Sequence, residues 1–291
     1  MNGCELCPRR CGANRGAGEL GFCGQGSVMR IARAALHPFE EPCISGTKGS
    51  GTVFFVGCTL RCEYCQNRAI SRSEAAGREI RARELGEILL DLQERGAHNV
   101  NFVTPTHFTD GIIETLNLIK DRLRIPVVWN TSGYERAETL KRLCGLVDIY
   151  LPDFKYAFEE LGARYSLAPD YAETAAEAIK EMVRQTGAPQ FDGDGMLKKG
   201  VIVRHLVLPA HRRESAEALR RLSETVNPQE ILLSLMSQYT PEFALDSPHK
   251  NLHRRLTSFE YEAVVAEAEA LGFSGYMQGR SSAKTEYTPD F

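Results

Sequence analysis

The chain lacks the features that mark several large protein classes. No apolar run approaches the ~20 residues that a membrane-spanning helix needs. Its 35 Lys and Arg against 38 Asp and Glu leave a net charge of −3. There is no basic surplus or stripe with interleaved aromatics, so a polyanion held by phosphate contacts is not expected. Met1-Asn2-Gly3-Cys4 carries no basic segment followed by an apolar one, so a secretory leader is not expected either. The expectation is a cytoplasmic chain with neither membrane nor nucleic acid as partner. Repeats, low-complexity tracts and flexible linkers are missing after residue 50. A length of 291 residues allows a core that needs no covalent staples.

What the chain has in unusual supply is cysteine. The nine are Cys4, Cys7, Cys11, Cys23, Cys43, Cys58, Cys62, Cys65 and Cys144. The number is odd, and a reducing compartment disfavours disulfides. Seven fall into two tight groups, which reads as metal or cluster ligation. Cys43 and Cys144 read as small buried residues.

Residues 1–50 form a Cys-rich, Gly-rich segment with no long periodic stretch, read as loop-rich. From residue 51 to 291 strands and helices alternate. Strands are expected at 52–56, 100–103, 126–129, 147–151, 201–208 and 230–236 from β-branched and aromatic runs. Helices are expected at 80–95, 110–123, 135–143, 171–185 and 213–225, with a last one opening on the capping box Thr257-Ser258-Phe259-Glu260. Strict alternation implies a parallel sheet. Eight units would close a barrel; six give an α/β fold of the open, partial (β/α)6 TIM-like kind, with chemistry at the C-terminal strand ends. Gly46-Thr47-Lys48-Gly49-Ser50-Gly51 lacks the spacing of a phosphate loop and precedes a strand.

The sharpest signal ends the first of these strands: Gly57-Cys58-Thr59-Leu60-Arg61-Cys62-Glu63-Tyr64-Cys65, a C-x3-C-x2-C spacing. Three thiolates this close can hold three corners of one [4Fe–4S] cube and leave its fourth iron open. The competing reading is a zinc site completed by Cys43 or a histidine. Arg204, within Val201-Ile202-Val203-Arg204-His205, is a guanidinium in an apolar strand and needs an anionic partner, for which a carboxylate is the natural choice. Cys4-x2-Cys7-x3-Cys11-x11-Cys23 is a second set of four thiols. It suits an auxiliary iron–sulfur cluster or a structural zinc, or it stays reduced and empty.

The cysteine motif on this frame resembles the radical SAM superfamily, within it the PflX-like branch related to pyruvate formate-lyase activating enzyme. The resemblance covers essentially the whole chain, and the N-terminal Pro8-Arg9-Arg10-Cys11-Gly12 and Gly18 to Gly24 stretches share in it. It implies an oxidoreductase whose [4Fe–4S] cluster sits on Cys58, Cys62 and Cys65. Reductive cleavage of S-adenosylmethionine would then give a 5′-deoxyadenosyl radical for hydrogen abstraction, with a flavodoxin- or ferredoxin-type one-electron reductant. The cofactor would bring the chemistry and the protein its position and shelter. A protein or peptide residue, as in glycyl-radical activation, is one expected target. A metal-binding or electron-transfer protein without radical chemistry is the alternative.

Further site residues are implied by the resemblance, strand by strand. Tyr64 precedes the last cysteine of the motif. Thr104-Pro105-Thr106-His107 stands where the family usually has Gly-Gly-Glu, so Thr104, Thr106 and His107 are expected at the cofactor. Asn130-Thr131-Ser132-Gly133 is similar to the Asp-Thr-Asn-Gly of activating enzymes, and Asp153-Phe154-Lys155 to their Asp-x-Lys. Arg204, with Ser234, Met236 and Gln238, is expected to complete the site. Substrate contacts are expected from Phe154, Tyr156 and Tyr165, and from the tail residues Tyr276, Arg280 and Tyr287.

Overall fold

A computed structural model describes residues 3–72 and 74–278. Arg280 and Tyr287 therefore lie outside the described residues. The chain runs through β1 (Met29–His37), α1 (Pro42–Ser45), β2 (Ser50–Phe55), α2 (Arg68–Ser71), β3 (Arg78–Ile80) and α3 (Ala82–Glu94). Next come β4 (Val100–Val103), α4 (Thr109–Ile119), β5 (Val127–Thr131), α5 (Ala137–Lys141), β6 (Ile149–Pro152), α6 (Glu159–Ser166) and α7 (Tyr171–Thr186). The last elements are β7 (Gln190–Phe191), β8 (Leu197–Leu206), α8 (Arg212–Thr225), β9 (Leu232–Met236), α9 (Ser258–Ala270) and β10 (Gly275–Met277).

The six strands expected from the sequence are β2, β4, β5, β6, β8 and β9. They lie side by side in that order, all parallel. β10 adds a further parallel strand beside β9, while β1 and β3 extend the other edge antiparallel. The sheet is not closed. The first fifty residues are less irregular than their composition suggests, because β1 pairs with β2 from Ile31 to His37. Its alternation is obscured by Ala and Arg at positions where a half-covered edge strand needs little apolar surface.

Side chains alternate across each strand, and this places the site. One face carries Val53, Phe55, Phe102, Trp129, Tyr150, Val203 and Leu233 into the main core beneath the helices. α7 contributes Ile179, Met182 and Val183 to that core. The opposite, concave face packs Val128, Ile149, Leu151 and Ile202 against Cys43 and Ile44 of α1. α1 thus plugs the interior of the partial barrel. Cys43 is buried as expected; Cys144 is exposed, because it comes after the short α5 where the chain turns at the surface.

Candidate active site

The C-terminal ends of the strands surround a cavity of ≈ 210 Å³. Cys58, Cys62 and Cys65 line one side of it. Thr104 follows β4, Asn130 and Thr131 end β5 and Ser132 follows it; Asp153 and Lys155 follow β6, Arg204 lies in β8 and Met236 ends β9. Tyr64 and Gln238 line it too, whereas Ser234 lines a neighbouring lobe. The C-terminal-end rule for parallel sheets holds here. Neither a histidine nor a fourth cysteine is among the residues lining this cavity.

The cysteine loop leaves β2 through Gly57, whose φ is +90°. A Cβ there would stand 2.6 Å from the Cys23 carbonyl oxygen, so only glycine lets the two cysteine segments approach. Cys58 Sγ accepts from the Leu60 amide at 3.4 Å, and Cys62 Sγ lies 3.0 Å from Ser166 Oγ. Burial, with the neighbouring Cys62 and Cys65, pushes the Cys58 thiol up to about 12. Burial likewise raises Cys62, against the pull of the Lys155 ammonium. These thiols ionise only when a metal supplies the opposing charge. Thiolates on one zinc would converge to about 4 Å from one another, given Zn–S bonds near 2.3 Å, whereas those on a cluster each take a different iron. Among the described residues, no group of three or more His, Cys, Asp or Glu side chains is set to hold a metal ion. The donor set suits a cluster with one open corner: three sulfurs, one cavity and polar groups opposite.

Tyr64 OH meets Tyr156 OH at 2.7 Å, which meets Ser166 Oγ at 2.7 Å. This chain of hydroxyls runs beneath Cys62. Phe154, Tyr156 and Tyr165, expected at the open side, are instead fully buried, because the aromatic rings pack into the core under the cysteine loop.

Thr104 has a φ of +57°. A left-handed conformation costs an L-residue roughly 1–2 kcal/mol and is rare for a β-branched one. Thr104→Gly should raise the free energy of urea unfolding by up to about 1 kcal/mol, the relieved strain less the entropy of glycine. Unchanged or lower stability would show that the left-handed turn stores no strain.

The turn at Thr104 also swings the next residues away. Thr106 and His107 do not reach the cavity. Thr106 Oγ1 donates to Glu135 Oε1 at 2.7 Å, and Thr131 Oγ1 and Trp129 Nε1 donate to the same oxygen. His107 Nε2 bonds the Val56 carbonyl at 2.8 Å, and burial pushes its imidazole down to about 3, so it stays neutral. A buried acid whose neighbours supply only donors to one oxygen is a packing node, and its Thr106 arm comes from another strand end, 29 residues away in the chain.

Arg204 has the carboxylate partner expected of it, and the protein itself supplies it. Its Nε donates to Asp153 at 3.0 Å, one terminal nitrogen donates to Asn130 Oδ1 at 2.6 Å, and the other lies 3.5 Å from Glu40 Oε2. Lys155 Nζ closes on the other oxygen of Asp153 at 2.5 Å. Burial acts to raise the Asp153 carboxyl, but Lys155 and Arg204 outweigh it and hold it below the usual range. The guanidinium's charge is therefore met by carboxylates of the protein. Glu40 and Glu41 had no sequence signal: they lie in the first fifty residues, outside the strand–helix pattern.

The N-terminal cysteines lie against this site. Arg9, between Cys7 and Cys11, donates to the Thr59 carbonyl between Cys58 and Cys62, and Arg61 donates to the Phe22 carbonyl beside Cys23. Both guanidinium groups sit over the Phe22 ring, at 4.1 Å and 4.7 Å. The quartet is mutually close: Cys7 feels the charges of Cys23 and Cys4, and Cys23 those of Cys4 and Cys11. Burial lifts Cys7 to about 12. At Cys11 burial acts upward, but backbone hydrogen bonds from Ala13 and Phe22 outweigh it and lower the thiol.

A family model described as the radical SAM superfamily matches residues 52–222, the span that holds all three cavity cysteines. The chain belongs to the radical SAM superfamily. Membership carries with it the cluster and S-adenosylmethionine as the family's cofactors, and enzymes as its members. An uncharacterized protein of Methanocaldococcus jannaschii is 31% identical over 274 residues, covering 91% of this chain and 74% of its own. Lipoyl synthase of Streptomyces avermitilis is 25% identical over 244 residues, covering 78% of this chain and 66% of the synthase. Streptococcus suis SuiB bound to precursor peptide SuiA has the same fold, with a TM-score of 0.50 and 14% identity, over 76% of this chain and 46% of that one. This chain thus spans under half of that larger structure. Among the described residues, no helix is long and apolar enough to cross a membrane.

Proposed function

We propose that this radical SAM chain cleaves S-adenosylmethionine reductively and directs hydrogen abstraction at a substrate bound over the strand ends. One observation carries the proposal: three cysteines share a cavity that brings no fourth cysteine or histidine, and polar residues from successive strands face them. Cys58, Cys62 and Cys65 would hold the cluster. When bound, the cluster and S-adenosylmethionine supply an electron and a hydrogen-abstracting 5′-deoxyadenosyl group. The chain positions and shelters them: Phe55, Leu60 and Leu206 keep the lining apolar beside the sulfurs. Asn130, Ser132 and Lys155 offer polar contacts, and Met236 a surface for an adenine ring. Lys155 also favours the ionised form of Cys62.

The finer reading, a PflX-like activating enzyme acting on a protein or peptide residue with a flavodoxin- or ferredoxin-type reductant, rests on the Thr104–His107, Asn130–Gly133 and Asp153–Lys155 stretches. The test is anaerobic reconstitution followed by dithionite and S-adenosylmethionine. 5′-Deoxyadenosine should appear; its absence would leave a metal-binding or electron-transfer protein.

The proposal extends to the N-terminal quartet, which we assign to a second iron–sulfur cluster, supported by its contact with the Cys58–Cys62 loop through Arg9 and Arg61. Iron and sulfide analysis should give about eight irons per chain, as two four-iron cubes require. About four irons with one zinc would assign the quartet to a structural ion instead.

A further inference from the structure

A second lobe, ≈ 190 Å³, adjoins the cysteine cavity and shares Asn130, Arg204, Met236 and Gln238 with it. Glu40, Glu41, Ser234, Tyr276 and Gln278 are among the other residues of its wall. Several of its donors are already engaged. Arg204 donates to Asp153 and Asn130, Asn130 Nδ2 donates to Glu40 at 3.2 Å, and Gln278 Nε2 donates to Gln238 at 3.2 Å. Two of its acceptor atoms are not: Glu41 Oε2 and Gln278 Oε1 are shielded from solvent and have no hydrogen-bond partner among the described residues. Glu41 itself is only 9% exposed.

The charges are unequal in the same sense. Glu40, Glu41 and Asp153 face Arg204 and Lys155, so one buried carboxylate is left over. Arg204 stands at ion-pair distance from Asp153 and Glu40, whereas Glu41 feels the guanidinium's charge without an ion pair of its own and has only the Ser234 side chain as a hydrogen-bond partner besides the backbone, so Glu41 is the least compensated of the three. An unpaired buried carboxylate is costly, and a bare neutral donor would not cancel its charge. Burial raises the Glu41 carboxyl, with Arg204 pulling it back, so an arriving cation would also displace a proton.

We propose that this lobe binds a primary ammonium group of the substrate, with Glu41 as its counter-charge and the Gln278 side-chain carbonyl as a second acceptor. The assignment to substrate rests on the function proposed above; the ammonium chemistry does not. The methionyl ammonium of S-adenosylmethionine has the same chemistry, so the test separates the two sources.

The full-length reconstituted chain is titrated calorimetrically with methylammonium, 1,4-diaminobutane and L-lysine amide. Tetramethylammonium serves as a cation without N–H donors, and succinate as an anion. The amines should bind, and tetramethylammonium and succinate should not. Glu41→Gln should weaken the amines by at least about tenfold, the usual worth of a hydrogen bond to a charged group. Gln278→Leu should weaken them by a smaller factor, and it decides the matter if Glu41→Gln does not fold. Binding of succinate in preference to the amines, no binding by any of the three amines, or affinities unmoved by both variants would overturn the proposal. In a second arm, S-adenosylmethionine is titrated into wild type and Glu41→Gln, with and without 1,4-diaminobutane. Retained affinity without competition supports the substrate; a tenfold loss with competition assigns Glu41 to the methionyl group and overturns the substrate assignment. Failure of wild type to bind S-adenosylmethionine would sink the proposed function and leave the amine result standing.

Discussion

Arg204→Met should lower the free energy of unfolding by about 3–5 kcal/mol at neutral pH, the usual cost of removing one partner from a buried ionic network. The groups left behind set that size. Asp153 would keep Lys155, but Glu40 would keep only the amides of Asn101 and Asn130, and Glu41 would lose its nearest positive charge. The loss should shrink on acidification. Burial holds Glu40 and Glu41 above the ordinary carboxyl value of 4.5 even with Arg204 present, and further without it. A carboxyl raised in the folded state stabilises fully below its unfolded value and loses that contribution as pH rises through the folded one. The difference from wild type in urea unfolding should therefore be largest above neutrality and smallest near pH 4.5. A difference independent of pH would mean that the guanidinium contributes by packing, not by charge.

Cys58→Ala should remove about half of the visible iron–sulfur absorption, the share of one of two four-iron cubes, and lower 5′-deoxyadenosine formation by more than a hundredfold, since a barrier raised by about 3 kcal/mol already exceeds that factor. Two sulfurs cannot hold three corners of a cube, and no further cysteine is among the residues lining this cavity to replace the lost one. Cys43→Ala is the matched control. Cys43 packs with Ile44 and Leu197 on the plug inside the barrel and does not line the cysteine cavity. It should keep both absorption and turnover. Equal losses in the two variants would point to general destabilisation and against a three-cysteine cluster.

Part of the site was readable because its signals are local. The C-x3-C-x2-C motif comes directly after β2, Arg204 stood out as a charge inside an apolar strand, and Asn130 and Asp153 lie in stretches to which the family resemblance pointed. Thr106 and His107 were misplaced for a conformational reason. One left-handed residue, Thr104, turns the chain so that both of them point away from the cavity. Tyr156 and Tyr165 were misplaced because aromatic side chains with hydroxyls suit a wet rim and a hydrogen-bonded core equally well, and Phe154 because an apolar ring gives no sign of which side of its strand end it takes.

By itself the sequence determined the parallel sheet, its strand order and the cysteine loop, since periodicity and spacing are properties of neighbouring residues. Only the tertiary structure decided that β1 and α1 belong to the barrel, that Asp153 and Asn130 are the groups paired with Arg204, and that Glu41 is left without a full set of partners. Those outcomes depend on how charges from distant segments balance once water is excluded, and no window along the chain contains both sides of that balance.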